Sequence, residues 1–291
     1  MSKLVVGCGY LGERVARRWH DSGHDVYVVT RSIHRAEAFQ RQRYKTIVAD
    51  VTRAETLENL PVAETALFAV GLDRSSHKTI HDVYVGGLLN VLAALPAETG
   101  RVIYISTTGV YGSAEGAWVD ETTPPNPWRD GGRASLAAEQ MLRKHPTGRN
   151  GVILRMAGLY GPGRIPFLKE LRAGNPIAAP TDGWLNLIQV DDAAAAIVAA
   201  DRLPPFDDGP RIYCVSDGKP IERGEFYREV ARQIGAPAPH FVEPSPNSPR
   251  SKRAEASRRV KNARMLSELR VTLNYPNYRA GLRAAVDTRN Q

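Results

Sequence analysis

Cysteine is almost absent from this chain. Cys8 and Cys214 are the only two in 291 residues, and they lie far apart. That excludes a disulfide framework and a C-x-x-C zinc ribbon, and it points to a reducing, cytoplasmic setting. Long apolar runs are missing too. No stretch approaches the roughly 18 uncharged apolar residues of a membrane span. The opening MSKLVVGCGYLG has no basic start, apolar stretch and small-residue cleavage site of an export signal, so no membrane partner is expected. Also lacking are a G-x-S-x-G elbow, a G-x-x-x-x-G-K-[ST] phosphate loop and an H-E-x-x-H helix, which removes serine-hydrolase, P-loop and zinc-protease readings. His20 and His24 stand four apart, as do His77 and His81, but no third ligand has matching spacing. No metal site is expected.

With 42% apolar and 24% charged residues the chain is a globular protein with material for a large core. The net charge of +8 is concentrated. In segment 250–264, Arg250, Lys252, Arg253, Arg258, Arg259, Lys261 and Arg264 face only Glu255. The rest is close to balanced, and no aromatic residue interleaves these charges, so no nucleic-acid partner is expected. A solvated face or a hold on an anionic substrate group are the readings left for this segment.

Short β-rich apolar runs recur at residues 3–7, 25–30, 45–49, 66–70, 101–106, 151–156 and 211–216. Between most of them lie stretches with helical spacing, such as Leu11, Val15, Ala16 and Trp19. Gly23 stands where a glycine would end the first helix. Strand and helix in alternation, with strands apolar throughout, predict an α/β fold: a doubly wound parallel sheet of about seven strands. The alternation lapses over 160–185 and 217–291, where Pro-rich loops such as 236–249 intervene. The expected division is therefore 1–159 with 186–216 as a Rossmann domain, and 160–185 with 217–291 as a smaller C-terminal substrate lobe.

Gly7-Cys8-Gly9-Tyr10-Leu11-Gly12 is a G-x-G-x-x-G between the first strand and the first helix. Gly7 permits the turn, Gly9 lets the backbone approach a pyrophosphate, and Gly12 allows tight helix–strand packing. Free N–H groups and the positive helix end then hold the anion. The ribose-reading position at the end of the second strand carries Thr30-Arg31-Ser32 in place of an acid. A guanidinium accepts the 2′-phosphate that an acid would repel, so NADP is favoured over NAD. The alternative is that Arg31 is a solvated loop residue.

The strand at 101–106 continues as Ser106-Thr107-Thr108-Gly109-Val110-Tyr111-Gly112. Leu154-Arg155 leads to Tyr160-Gly161-Pro162-Gly163-Arg164, and Asn186-Leu187-Ile188-Gln189-Val190-Asp191-Asp192 follows. Together with the glycine loop, these segments resemble the extended short-chain dehydrogenase/reductase family over nearly the whole chain. The resemblance implies an NAD(P)-binding Rossmann domain with a C-terminal substrate lobe, of the epimerase, dehydratase or reductase kind. It assigns Gly7, Gly9, Tyr10, Leu11 and Gly12 to the pyrophosphate loop, Asp50 and Val51 to the adenine, and Ala69, Val70, Gly71 and Ser106 to the strand ends beside the cofactor. Thr107 matches the hydroxyl residue that holds the substrate's oxygen. By analogy with relatives, a homodimer through helix 76–95 and the helix ending near His145 is expected.

One departure is central. The family's acid/base pair is Tyr-x-x-x-Lys on one helix face, and none of the eleven tyrosines here has a lysine four residues on. Alignment through Leu136-Ala137-Ala138-Glu139 puts Gly131 at the tyrosine and Ser135 at the lysine. The usual asparagines fall at Tyr84 and Gly158, and the histidine at Gln189. Tyr111, Tyr84 and Tyr160 are the candidate replacements, with Tyr111 first and Arg133 or Arg155 as cations that would lower a phenol's pKa. The expected work is hydride transfer on a small, polar, possibly sugar-like substrate. The alternatives are a non-catalytic NADP(H) sensor and a glycine loop kept only as structure.

Overall fold

The computed structural model describes residues 1–73, 75–246 and 257–287. They form two compact units.

The first unit comprises 1–110, 127–155 and 194–213. Its sheet has seven strands: β1 Ser2–Val6, β2 Asp25–Thr30, β3 Lys45–Val48, β4 Thr65–Phe68, β5 Arg101–Thr107, β6 Val152–Met156 and β7 Arg211–Val215. The order is β7-β6-β5-β4-β1-β2-β3. The register runs Lys3 to Val26, Lys3 to Thr65 and Thr65 to Arg101, parallel throughout. Each strand lies within two residues of its expected place. Because both faces are covered, inward alternation is absent and strands such as Leu4-Val5-Val6 are buried outright.

Four helices position the site. The first, α1 (Gly12–Asp21), buries Val15, Ala16 and Trp19. It ends on Gly23 at φ +82°, with Gly23 N–H donating to His20 O and His24 N–H to Trp19 O, the paired bonds of a glycine-closed helix end. The second, α2 (Ile33–Arg41), is capped by the Ser32 hydroxyl, which accepts the Arg35 N–H. The third, α3 (Gly87–Ala94), is preceded by a π-helical turn at Asp82–Gly86. The helical segment begins at residue 80 rather than at 76, because Thr79 and Asp82 cap it reciprocally: Thr79 N–H donates to Asp82 Oδ2 and Asp82 N–H to Thr79 Oγ1. The fourth is α4 (Asp130–Lys144). Leu88, Val91, Leu92, Ala138 and Leu142 pack on Tyr104 and Ile153 in one apolar cluster.

The second unit comprises 111–126, 156–193 and 214–287 of the described residues. It is built of two-stranded pairs: Trp118–Val119 with Arg259–Val260, Gly158–Tyr160 with Leu187–Gln189, Trp184–Leu185 with Ile221–Glu222, and Ile177–Ala178 with Phe241–Val242. The first two pairings explain why 111–126 and 186–193 group here, whereas the sequence boundaries set them with the Rossmann domain. Tyr160, Ile177, Phe226, Val230, Tyr278 and Leu282 form its core.

Candidate functional site

The glycine loop has the geometry its spacing predicts. At Gly7, with φ +93°, a Cβ would stand 2.7 Å from the Ala69 carbonyl and the Val70 nitrogen. At Gly12 it would stand 2.5 Å from Gly7 O, so only glycine lets α1 begin so close to β1. Gly9 is the reverse, with nothing within 4 Å of its Cβ position. The backbone there is open to an incoming group. Gly9 N–H donates to Gly7 O, and the N–H groups of Leu11 and Gly12 meet no acceptor among the described residues. An open cradle of backbone donors at a helix start fits a pyrophosphate. Tyr10, half-buried, lies under the Arg14 guanidinium. Cys8 is buried, and burial pushes its thiol up to about 12, so it is no nucleophile at neutral pH.

At the end of β2, Arg31 is half-exposed and meets Asp73 at 3.0 Å. The Ser75 hydroxyl, ahead of its backbone N–H and Arg31, holds the Asp73 carboxyl below the usual range. A second guanidinium, not singled out in the sequence, is Arg35 on the first turn of α2, whose Nη2 donates to Cys8 O at 2.6 Å. Both cations therefore border the turn after β2, one of them bonded to the glycine loop itself. Asp50 turns back on its own chain, accepting the Thr52 N–H and hydroxyl. Val51 is clamped by α3: Asn90 Nδ2 donates to its carbonyl, and a Cβ at Gly87 would meet its Cγ2 at 2.7 Å. Ala69, Val70 and Gly71 follow the end of β4, and Gly71 again faces open space.

Beyond β5 the chain gathers polar groups. The Thr107 hydroxyl accepts the Gly109 N–H at 3.0 Å, which leaves its own proton to donate. A Cβ at Gly109 would lie 3.3 Å from Thr107 Oγ1 and 3.6 Å from Arg129 Nη2, so the hydroxyl and a guanidinium share one small space. Arg129 just before α4 was hidden in sequence by the Pro-rich stretch before it. The cations named from sequence are committed elsewhere. Arg155 is paired with Glu139, which also accepts the Ser106 hydroxyl, and Arg133 with Asp130 and the Trp128 carbonyl.

In the second unit the Tyr111 hydroxyl is buried 3.0 Å from Cys214 Sγ. Tyr160 is 1% exposed, and burial raises its phenol pKa, helped by the charges of Asp217 and Asp192. Gln189 closes onto Asp191, accepting its N–H and donating to its carboxylate. Of the basic segment, residues 250–256 lie outside those described. Arg258 donates to Gly112 O, Arg259 stacks on Trp118 and Trp184, Lys261 meets Asp120, and Arg264 meets Glu268. These four serve local structure. Among the described residues no group of three metal-ligating side chains exists, and no helix is long and apolar enough to cross a membrane.

A sequence profile described as the NAD dependent epimerase/dehydratase family matches residues 3–216. Protein YeeZ of Escherichia coli K12 is 30% identical over 246 residues, covering 81% of this chain and 85% of that one. The 2-alkyl-3-oxoalkanoate reductase of Stenotrophomonas maltophilia is 28% identical over 258 residues, covering 81% and 76%. Among solved structures, a Methylobacillus flagellatus protein assigned to the NAD-dependent epimerase/dehydratases superposes with TM-score 0.78 at 30% identity, covering 100% of this chain and 99% of its own.

Proposed function

The chain belongs to the NAD-dependent epimerase/dehydratase family, and we propose that it is an oxidoreductase or epimerase-type enzyme that binds NADP in preference to NAD. It acts by hydride transfer on a carbonyl or alcohol of a small, polar, sugar-like substrate. The observation that carries the cofactor is the glycine loop. Gly7 and Gly12 have no room for a side chain, Gly9 is open, and the N–H groups of Leu11 and Gly12 are unspent. NADP is supported by what flanks it: Arg31 and Arg35 after β2 and no acid at the ribose-reading position. The Arg31–Asp73 pair is exposed and contributes little, so a 2′-phosphate displaces it readily.

A dinucleotide held at this loop by its pyrophosphate would supply or accept hydride at its nicotinamide. The chain's own part is to orient the substrate oxygen. The Thr107 hydroxyl donates to it, and the Arg129 guanidinium stabilises negative charge as it develops there. A reductase among the relatives, named for an oxoalkanoate, is in keeping with carbonyl chemistry.

Thermal unfolding with each of NADP, NADPH, NAD and NADH tests the reading. A ligand at 100 times its Kd stabilises by about 2.7 kcal/mol, a shift of several degrees. The expected result is a larger shift with the phosphorylated pair. No shift with any of the four overturns the function.

A further inference from the structure

The two residues that perform acid/base chemistry in the sequence resemblance are replaced here by Gly131 and Ser135, and a proton donor is needed if carbonyl reduction is to occur. Three tyrosines are candidates. Two are built into the interior of the second unit: Tyr111 at 3% exposure with its hydroxyl on Cys214, and Tyr160 at 1% with its hydroxyl beneath Gly281. Tyr84 alone is partly exposed, and it belongs to the first unit with the glycine loop, Thr107 and Arg129.

Its placement is unusual. Tyr84 sits at the middle of the π-helical turn Asp82–Gly86. Such turns insert an extra residue into a helix, disturb its regular face and recur at functional sites. The turn follows the Thr79–Asp82 capping contacts and packs against α4. The two helices meet at Gly131, whose Cβ position has Ile80 Cδ1 as its neighbour at 3.4 Å. One turn further along both helices stand Tyr84 and Ser135. Beneath them, from β5, comes Tyr104, a buried phenol that has Ser135 as its polar neighbour but makes no hydrogen bond of good geometry. Burial, with the charge of Glu139 adding to it, raises the Tyr104 phenol's pKa. Two glycines at 131 and 132 leave the start of α4 bare of side chains, and Gly132 lies so close to Gly109 that a Cβ would come within 2.5 Å of its carbonyl. The turn that carries the Tyr84 phenol thus packs on the helix whose start has Gly131 where the resemblance expects a tyrosine.

We propose that Tyr84 is the catalytic acid/base, delivered from the π-helical turn into the space left by the missing tyrosine and lysine. The role rests on the hydride-transfer reading above. In the reductive direction the substrate's carbonyl carbon would take hydride from a nicotinamide. The Tyr84 O–H bond breaks as the O–H bond of the product alcohol forms, and the phenolate takes a proton back from water. The Thr107 hydroxyl keeps its proton and holds the oxygen.

The test compares the full-length parent with Tyr84→Phe and Tyr111→Phe by ultraviolet titration of tyrosinate from about pH 7 to about pH 11, with and without saturating NADP+. A phenol beside the cationic oxidised nicotinamide ionises more easily, by about one pKa unit or more. One NADP+-responsive phenol is expected in the parent, lost in Tyr84→Phe and kept in Tyr111→Phe, while Tyr84→Phe retains the parent's melting temperature and its thermal shift with NADP+. If the responsive phenol survives in Tyr84→Phe, or if NADP+ binds and no phenol responds, the role of Tyr84 is overturned and the cofactor reading stands. If NADP+ produces no thermal shift in the parent, the cofactor reading falls and Tyr84 with it.

Discussion

Arg155 holds Glu139 through two hydrogen bonds in the interior of the first unit, Nε to Oε1 at 3.0 Å and Nη2 to Oε2 at 2.7 Å, with 3% and 2% of the side chains exposed. The Ser106 hydroxyl bonds the same Oε1. β6, α4 and the end of β5 are thereby tied together directly behind Thr107. An isolated buried charge is far less favourable than a paired one. Glu139→Ala is expected to destabilise by about 3–5 kcal/mol in urea unfolding, as the two-pronged acceptor of a buried guanidinium is removed. A loss below about 1 kcal/mol would show that the guanidinium finds another partner.

Helix Tyr278–Asp287 owes its closeness to Tyr160 to one glycine. A Cβ at Gly281 would lie 2.0 Å from the Tyr160 hydroxyl and 2.7 Å from its ring carbon Cζ. Gly281→Ala therefore overpacks the core of the second unit, and a loss of about 1–3 kcal/mol is expected by chemical denaturation. Adding Tyr160→Phe removes the nearest atom, a buried hydroxyl with no hydrogen-bond partner among the described residues. The double variant should recover part of the loss. Strict additivity of the two changes would argue that they do not meet.

Asp217 is a buried carboxyl whose Oδ1 accepts the Lys219 N–H while Oδ2 has no hydrogen-bond partner among the described residues. Burial pushes it up to about 7. The folded state thus holds a proton that the unfolded chain releases near its ordinary value of 3.8. Stability from this group is present at low pH, declines as pH rises from about 4, and is gone above about 7. Asp217→Asn should flatten that decline, so that parent and variant diverge most at about pH 8. Parallel stability profiles for the two proteins would remove Asp217 as the cause.

Arg31 and Arg35 make separable predictions. Among the described residues Arg31 has an exposed ion pair to lose, so Arg31→Ala should leave the unliganded melting temperature nearly unchanged. It should weaken NADP binding about tenfold or more, with NAD affected little. Arg35→Ala also removes the bond to the Cys8 carbonyl, and it is expected to weaken both dinucleotides as the loop loses support. Titration calorimetry with both cofactors checks this. Equal NADP affinity in Arg31→Ala and the parent would return Arg31 to the role of a solvated loop residue.

The division between what could be read and what could not follows from range. Strand positions, the glycine loop and the Gly23 helix end are local, each set by the apolar pattern or by backbone freedom over a few residues, and the sequence alone was enough for them. That no tyrosine has a lysine four residues on was equally plain, since an i, i+4 spacing is a fact about the chain. Which side chains gather around the gap is a matter of the tertiary structure. The commitment of Arg155 to Glu139 brings together residues 16 apart. The sharing of space by Thr107 and Arg129, and the burial of Tyr111 on Cys214, join segments that no local pattern connects. The π-helical turn that carries Tyr84 is marked by no local pattern either. Local sequence determined the scaffold and what it lacks. Only packing decided which polar groups are buried and which stay exposed.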